Sequence, residues 1–207
     1  TEFAEVSEEI EVPLEVFVEK EPITVILSQK GWIRCIKGHA ALDDDFKFKD
    51  DDALQIALHA QTTDRIIFFD TSGKFFTVQA SEIPSGRGFG QPLRLMIDLG
   101  NNDQICQEPK ASYVIASNTG KGFMVDENHI IAQTRNGRKI MNLGDGEKAV
   151  FCVKVTGDSL AVVGDNRKLL IFPVEEVPTM ARGRGVTLQK YKDGGLADIQ
   201  SFNAAEG

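Results

Sequence analysis

The chain has 207 residues with a formal net charge of −8, and 42% of them are hydrophobic, which is enough to bury a core. No apolar run reaches the roughly 18 residues that a membrane-spanning helix needs, and no secretion signal opens the sequence, so we predict no membrane insertion and a cytoplasmic location. Three widely separated cysteines, Cys35, Cys106 and Cys152, argue against a disulfide framework.

Acidic residues are concentrated near the start of the chain. Residues 1–21 hold eight acids and one base, Lys20, and a second acidic run follows at Asp43–Asp45 and Asp50–Asp52. From Ala53 onward 17 acids face 17 bases, so a basic surface can exist there despite the net charge. We therefore divide the chain into an acidic leader, residues 1–21, and a domain, residues 22–207. The leader is either a linker or an acidic segment that mimics a polyanion and restrains a basic surface.

A repeated unit follows, in which an apolar strand, a tight polar turn, a lysine and a second strand come in succession. Its copies span residues 66–76, 113–123 and 160–170, with an earlier and slightly shifted copy at 23–33. The turn lysines are 47 residues apart both times, at Lys74, Lys121 and Lys168. β-rich runs on both sides of a short polar turn predict a β-hairpin in each copy.

A second landmark keeps the same period. About a dozen residues after each turn lysine, Arg87, Arg135 and Arg182 stand in glycine-rich segments, separated by 48 and then 47 residues. Multi-stranded repeats of 40–50 residues are typical of propeller-like folds, in which neighbouring units bury each other's apolar faces. We predict an all-β domain of about four blades. Gly194–Ile199 would begin a fifth, truncated blade, and only Asp50–Leu58 carries a helical signal.

The sequence offers little support for catalysis, a metal site or a nucleotide site. Tyr113 begins an apolar strand and is expected to pack in the core, whereas Tyr191 lies between two lysines and is expected near phosphate. The three histidines are isolated, no cysteine pair has zinc spacing, and the aspartate runs lack the pattern of a calcium loop. The segment Arg87–Gly90 leads into Pro92 instead of a helix, which disfavours a nucleotide-binding loop.

The first copy carries the most specific string. Glu21–Arg34 reads EPITVILSQKGWIR, with Lys37-Gly38-His39 after it, and it resembles the opening blade of the C-terminal domain that is found in the A subunit of bacterial topoisomerase IV. The segments Arg87–Leu93 and Gly164–Val174 resemble later blades of the same family. The resemblance covers about Glu21–Leu196 and implies a β-pinwheel, a propeller variant whose blades exchange strands with their neighbours.

The resemblance also implies a function. The family's domain binds double-stranded DNA along its outer rim and bends it for ATP-dependent strand passage, through which the parent type IIA topoisomerase, an isomerase, serves decatenation, relaxation and chromosome segregation. It implies that the A subunit forms a homodimer with a separate B subunit as partner, and that other domains hold ATP and Mg²⁺, with no cofactor and no nucleophile in this fragment. Residues 40–45 are acidic where gyrase has a basic glycine-rich box, which favours topoisomerase IV over chiral wrapping of the gyrase type.

Basic side chains on loops at a fixed repeat can neutralise successive phosphates, which gives salt-sensitive and sequence-tolerant affinity. Glycines beside the repeated arginines would let the backbone approach phosphate, and Trp32 is expected to fill a blade. A protein-interaction propeller without a DNA role is the alternative that the net acidity keeps open. The predicted DNA-binding residues are Lys30, Arg34, Lys37, Lys74, Arg87, Arg94, Lys121, Arg135, Arg138, Lys139, Arg167, Lys168, Arg182, Arg184, Lys190 and Lys192.

Overall fold

The computed structural model describes residues 18–42, 45–99 and 112–206. Most of the acidic leader, together with Asp43, Asp44 and Cys106, lies outside these ranges. The described residues form four antiparallel sheets and one short α-helix, and none of their helices is long and apolar enough to cross a membrane.

The elements follow in chain order. They are β1 (Pro22–Ser28), β2 (Trp32–Lys37), β3 (Leu54–Gln61), β4 (Arg65–Phe69), β5 (Lys74–Gln79), β6 (Gln91–Pro92), β7 (Tyr113–Ser117), β8 (Lys121–Val125), α1 (Glu127–Ile130), β9 (Arg138–Lys139), β10 (Ala149–Lys154), β11 (Ser159–Gly164), β12 (Leu169–Pro173), β13 (Val186–Thr187) and β14 (Leu196–Phe202). Short 3-10 turns at 80–82, 93–95 and 174–176 connect some of them.

Each sheet is built on one of the predicted hairpins, and we number the four blades by them: β1–β2, β4–β5, β7–β8 and β11–β12. The hairpin turns share one geometry, because the amide of the fourth turn residue donates to the carbonyl of the first. That fourth residue has a positive φ in every blade and is Gly31, Gly73, Gly120 or Arg167. In blades 1, 3 and 4 the later strands β3, β10 and β14 pair with the first hairpin strand. The prediction that residues 194–199 begin a fifth blade is therefore wrong, because β14 completes blade 4.

The blades exchange strands. The two-residue strand β6 follows the hairpin of blade 2 but pairs with β2 of blade 1. In the same way β9 pairs with β5 of blade 2, and β13 pairs with β8 of blade 3. After each exchanged strand a buried residue, Leu93, Ile140 or Leu188, donates its amide to the turn glycine of the blade that receives the strand. This exchange confirms the expected β-pinwheel.

The apolar core of the described residues consists of three clusters, and each cluster lies between two successive blades. The first joins blades 1 and 2 through residues such as Ile33 and Phe76, the second joins blades 2 and 3, and the third joins blades 3 and 4. Phe69 and Phe75, both fully buried, stack with ring centroids 4.5 Å apart in the second cluster. A blade therefore buries its apolar faces only against its neighbours, as the repeat predicts.

The helix that the sequence suggested at Asp50–Leu58 does not form. Residues 54–61 form β3, which pairs along its length with β1. His59 and Ala60 lie opposite Thr24 and Ile23, and every other residue of that part of β3 is buried, so sheet pairing overrides the local helical preference.

Candidate nucleic-acid interface

The repeated arginines lie in loops at the junctions between blades. In the first loop the chain is held by Pro84, whose carbonyl accepts from the amide of Cys35 at 2.9 Å, and it is held again at β6. Pro178 accepts from Met124 at the same distance in the third loop. The intervening residues project from the sheet edge, and Arg87, Arg135 and Arg182 are all exposed. Strand exchange thus presents one arginine loop at each of three junctions.

A glycine with positive φ lies immediately before each exchanged strand. Gly90, Gly137 and Gly185 have φ values of +81°, +69° and +80°. A Cβ atom on Gly90 would lie 2.0 Å from the carbonyl oxygen of Ile33, and one on Gly185 would lie 2.4 Å from that of Gly122. These glycines serve the close approach of two blades. In contrast, Gly86 and Gly88 flank Arg87 with open space around them, which suits approach to a ligand.

The turn lysines fall into two kinds. Lys74, Lys121 and Lys168 follow the turn residue of positive φ, whereas Lys30 precedes it, so Trp32 takes the equivalent place in blade 1. The Nζ of Lys30 donates to the carbonyl of Asp50 at 3.2 Å. Lys30 therefore lies two residues before the place that the later turn lysines occupy.

Exchange brings basic residues from different blades together. Lys74 of β5 is paired with Lys139 of β9, and the Nζ of Lys139 donates to the carbonyl of Ser72 at 2.7 Å. Lys121 is paired with Thr187 of β13, two residues beyond Gly185. Turn lysines and residues of the exchanged strands that are far apart in sequence therefore share the junctions between blades 2 and 3 and between blades 3 and 4.

Several predicted residues are engaged by protein partners. The guanidinium of Arg34 donates to the carbonyls of Gly88 and Lys47 at 2.6 and 2.7 Å, so it fastens the Arg87 loop to residues 45–52. Arg135 pairs with Asp98 at 3.4 Å and contacts the carbonyl of Arg94, which is itself exposed. Arg34 and Arg135 thus hold loops in place.

Two further predicted cations form ion pairs. Lys37, at the end of β2 away from the hairpin turn, pairs with Glu21 at 3.5 Å and is 84% exposed, so this contact contributes little. Arg184 pairs at 3.1 Å with Glu147, whose side chain is only 7% exposed. Hydrogen bonds from the Thr119 hydroxyl and the Gly144 amide, together with Arg184, lower the pKa of Glu147. Arg184 therefore helps to fix the loop that precedes β10.

The remaining predicted cations are available to a ligand. Arg182 contacts Asn142 only at 3.5 Å. Among the described residues no ion pair or hydrogen bond engages the side chains of a further group of exposed cations, namely Arg87, Arg138, Arg167, Lys168, Lys190 and Lys192.

Arg167 stands where the other three hairpins have glycine. Its φ of +63° lies in the left-handed region, which costs a non-glycine residue roughly 1 kcal/mol. Strain of this kind at an exposed turn points to a role for the side chain.

Residues 46–49 were missed as basic candidates, because the neighbouring aspartates make the stretch look acidic. Lys47 and Lys49 are exposed and alternate with Phe46 and Phe48. The Nζ of Lys49 lies 3.7 Å from the ring centroid of Trp32, a cation–π contact. Trp32 is half-buried at the surface and does not fill a blade. The alternation of aromatic and basic residues was the signal that could have found this segment.

The two tyrosines are both packing residues. Tyr113 is fully buried in β7, as expected. Tyr191 is partly buried against Gly120 and Gly164, at the turns of blades 3 and 4, and its hydroxyl donates to Gln189 at 2.8 Å. Tyr191 thus packs between two hairpin turns, while Lys190 and Lys192 on either side of it are exposed. In the described ranges no three acidic, histidine or cysteine side chains are grouped as a metal site requires.

Comparison with known proteins identifies the architecture. Residues 112–156 and 158–201 match the family model of the DNA gyrase C-terminal domain, beta-propeller. The A subunit of DNA topoisomerase 4 from Rickettsia conorii is 44% identical over 199 residues, which cover 95% of this chain and 27% of that protein. The chain belongs to the family of C-terminal domains that are found in the A subunit of topoisomerase IV. The corresponding protein of Caulobacter vibrioides is 43% identical over 94% of the chain and 26% of its own length.

A solved structure agrees with this family assignment. The C-terminal domain of Escherichia coli ParC superimposes with a TM-score of 0.78 at 25% identity, covering 87% of this chain and 79% of that domain. This chain spans about a quarter of the length of the full topoisomerase relatives. The topoisomerase IV family assignment thus applies to a domain-sized part of those proteins.

Proposed function

We propose that this domain binds double-stranded DNA along the arginine loops and turn lysines at its blade junctions, and that it bends the bound duplex. The observation that carries the proposal is that strand exchange repeats the same exposed basic loop at three successive junctions, at Arg87, Arg135 and Arg182. A duplex following these junctions would meet a basic loop at each blade. Residues 46–49 extend the basic surface at the first junction.

The energetics favour a domain that contacts the phosphate backbone of DNA. Each cation that neutralises a phosphate releases about 0.9 counterion, which contributes on the order of 1 kcal/mol near 0.1 M salt. The loops offer arginine and lysine, and the described residues hold no α-helix longer than the four residues of α1 that could enter a DNA groove and read base edges. We therefore propose affinity that is tolerant of sequence. A curved series of cations also favours bent DNA, because bending brings more phosphates into contact.

The function of the whole protein follows from this role. We propose that the domain positions a duplex for strand passage by a cytoplasmic bacterial topoisomerase IV, in which the A subunit forms a homodimer and assembles with the B subunit. The ATP- and Mg²⁺-dependent steps are proposed for parts of that enzyme outside this chain. Residues 40–42 and 45 bring no basic residue to the place of the gyrase box, so we expect little chiral wrapping.

A mobility-shift titration with linear and supercoiled duplexes tests the binding role. At about 50 mM salt we expect a shifted complex, and at about 200 mM salt we expect its affinity to fall at least roughly 40-fold if three or more phosphates are neutralised. Complete absence of binding at the lower salt concentration would refute the proposal and leave the protein-interaction propeller.

Replacing Arg167 by glycine should separate stability from binding. We expect Arg167→Gly to stabilise the fold by about 0.5–1 kcal/mol, because glycine adopts the left-handed conformation without strain. We expect it to weaken DNA binding about fivefold, because one phosphate contact is lost. Thermal melts and DNA titrations measure the two effects. Arg167→Asn, which tolerates the same φ, is the control: it should show the binding loss, and unchanged affinity in both variants would remove Arg167 from the interface.

A further inference from the structure

The second strand of blade 4 lacks the partner that its counterparts have. β2, β5 and β8 each pair on their outer side with an exchanged strand, whereas β12 pairs only with β11 among the described residues. Its first three residues, Leu169, Leu170 and Ile171, are 59%, 41% and 54% exposed. In β2 and β5, by comparison, Ile33 and Phe75 are fully buried. An apolar sheet edge of this kind is a template for strand addition.

The core has the same gap at this place. The three apolar clusters of the described residues join blades 1 and 2, 2 and 3, and 3 and 4. No such cluster joins blade 4 to blade 1 within the described ranges. The outer face of β12 is therefore the exposed end of the array, continuous with an interface that the fold forms three times.

A segment of the leader has the pattern that such an edge requires. In residues 10–18 (IEVPLEVFV) apolar residues occupy every second position from Ile10 to Val18, while Glu11 and Glu15 lie between them. A period of two places the apolar side chains on one face of an extended strand. Pro13 is compatible with an edge strand, because it need not donate to the ladder.

Charge favours the same pairing. β12 is preceded by the exposed cations Arg167 and Lys168, and the leader segment carries Glu9, Glu11 and Glu15. An extended chain advances about 3.3 Å per residue, and packed sheets lie about 10 Å apart, so the two residues between the segment and Glu19 can cross about one sheet spacing. The carbonyl of Glu19 is fixed on blade 1 by the hydroxyl of Thr62 at 2.5 Å, which raises the local concentration of the segment.

We propose that residues 10–16 of the leader add to the outer edge of β12 as the missing exchanged strand, and thereby close the array of blades from blade 4 to blade 1. The segment covers the apolar residues Leu169–Ile171, and its glutamates lie beside Arg167 and Lys168. Docking is intramolecular and does not require DNA, although it places glutamates beside two of the cations that we propose for phosphate contact.

Hydrogen exchange of the complete 207-residue chain tests this docking. The disrupting variant carries Ile10→Asp, Val12→Asp and Leu14→Asp, and the control adds the same three charges ahead of the segment as Thr1→Asp, Ala4→Asp and Ser7→Asp. We expect the amides of β12 to exchange at least tenfold faster in the disrupting variant than in the native chain and the control. Amides of the β7–β8 hairpin report in the same samples that blades 2 to 4 remain folded.

Two results would overturn the proposal. Equal exchange of β12 in the native chain and in the disrupting variant would show that the leader does not cover this edge. Protection that is lost on dilution, together with a dimer in light scattering, would assign the edge to a second copy of the chain instead.

Discussion

Reversing the charge of Arg87 and Arg182 together, as Arg87→Glu and Arg182→Glu, is expected to weaken DNA binding about 100-fold near 0.1 M salt. Two phosphate contacts of about 1 kcal/mol each are lost, and each new carboxylate adds repulsion, which brings the total to roughly 3 kcal/mol. Both side chains are exposed and lie outside the apolar clusters, so stability should change by no more than about 0.5 kcal/mol. Fluorescence anisotropy with a labelled duplex measures the affinity, and thermal denaturation verifies the fold.

The control for this pair must change the net charge equally at a distance from the arginine loops. Lys20→Glu with Lys154→Glu does so, since both lysines are exposed and neither belongs to an arginine loop or a hairpin turn. We expect the control to lose less than about a fifth of the binding free energy that the arginine double variant loses. If both double variants weaken binding equally, net charge alone governs binding and the loops have no special part in it.

The substitution Gly90→Ala is expected to destabilise the domain by about 3–4 kcal/mol. The left-handed φ of +81° costs alanine about 1–2 kcal/mol, and its Cβ would lie 2.0 Å from the carbonyl oxygen of Ile33, so the exchanged strand β6 must shift. For a domain of this size the loss corresponds to a decrease in Tm of roughly 10 °C. Differential scanning fluorimetry is sufficient to detect it.

Gly31→Ala is the matched control, because Gly31 has the same φ of +81° but no atom within 4 Å of its would-be Cβ. We expect Gly31→Ala to cost only the conformational part, about 1–2 kcal/mol. The difference between the two variants measures the close approach of blades 1 and 2. Equal effects would mean that β6 does not need the glycine in order to reach β2.

Sequence periodicity predicted the repeated parts of the fold because they arise from local interactions. The turn at Gly73 and the pairing of β4 with β5 depend on residues within one hairpin, and both follow from patterns of about ten residues. The spacing of Arg87, Arg135 and Arg182 likewise predicted that these loops are equivalent. The strand exchange was predicted from the resemblance to a known family, because the spacing alone does not indicate it.

The structural features that were not predicted from the sequence depend on long-range contacts. A two-residue strand such as β6 has no recognisable pattern of its own, so its pairing with β2 is visible only in the structure. For the same reason nothing in the sequence indicated that Gly90 serves the contact with Ile33. Tyr191 looked like a surface aromatic because its neighbours are lysines, yet two distant turns bury part of its ring.

Local charge also concealed part of the candidate interface. The aspartates around residues 43–52 suggested an acidic loop, but Arg34 fixes the backbone of Lys47 beside the Arg87 loop, and Lys49 lies over Trp32. Whether a cation belongs to a basic surface depends on which loops the fold brings together. That information lies in the hydrogen bonds of Arg34 and not in the local count of charges.

The central claim is that the repeated basic loops bind a duplex and bend it, and energy transfer between dyes at the two ends of a short duplex tests this most directly. At a saturating concentration of the domain we expect transfer to increase at about 50 mM salt and to return to the value of unbound DNA when salt dissociates the complex. The Arg87→Glu and Arg182→Glu chain should give a smaller increase even where it is added to saturation. Saturated binding with unchanged energy transfer would contradict bending along the blade junctions.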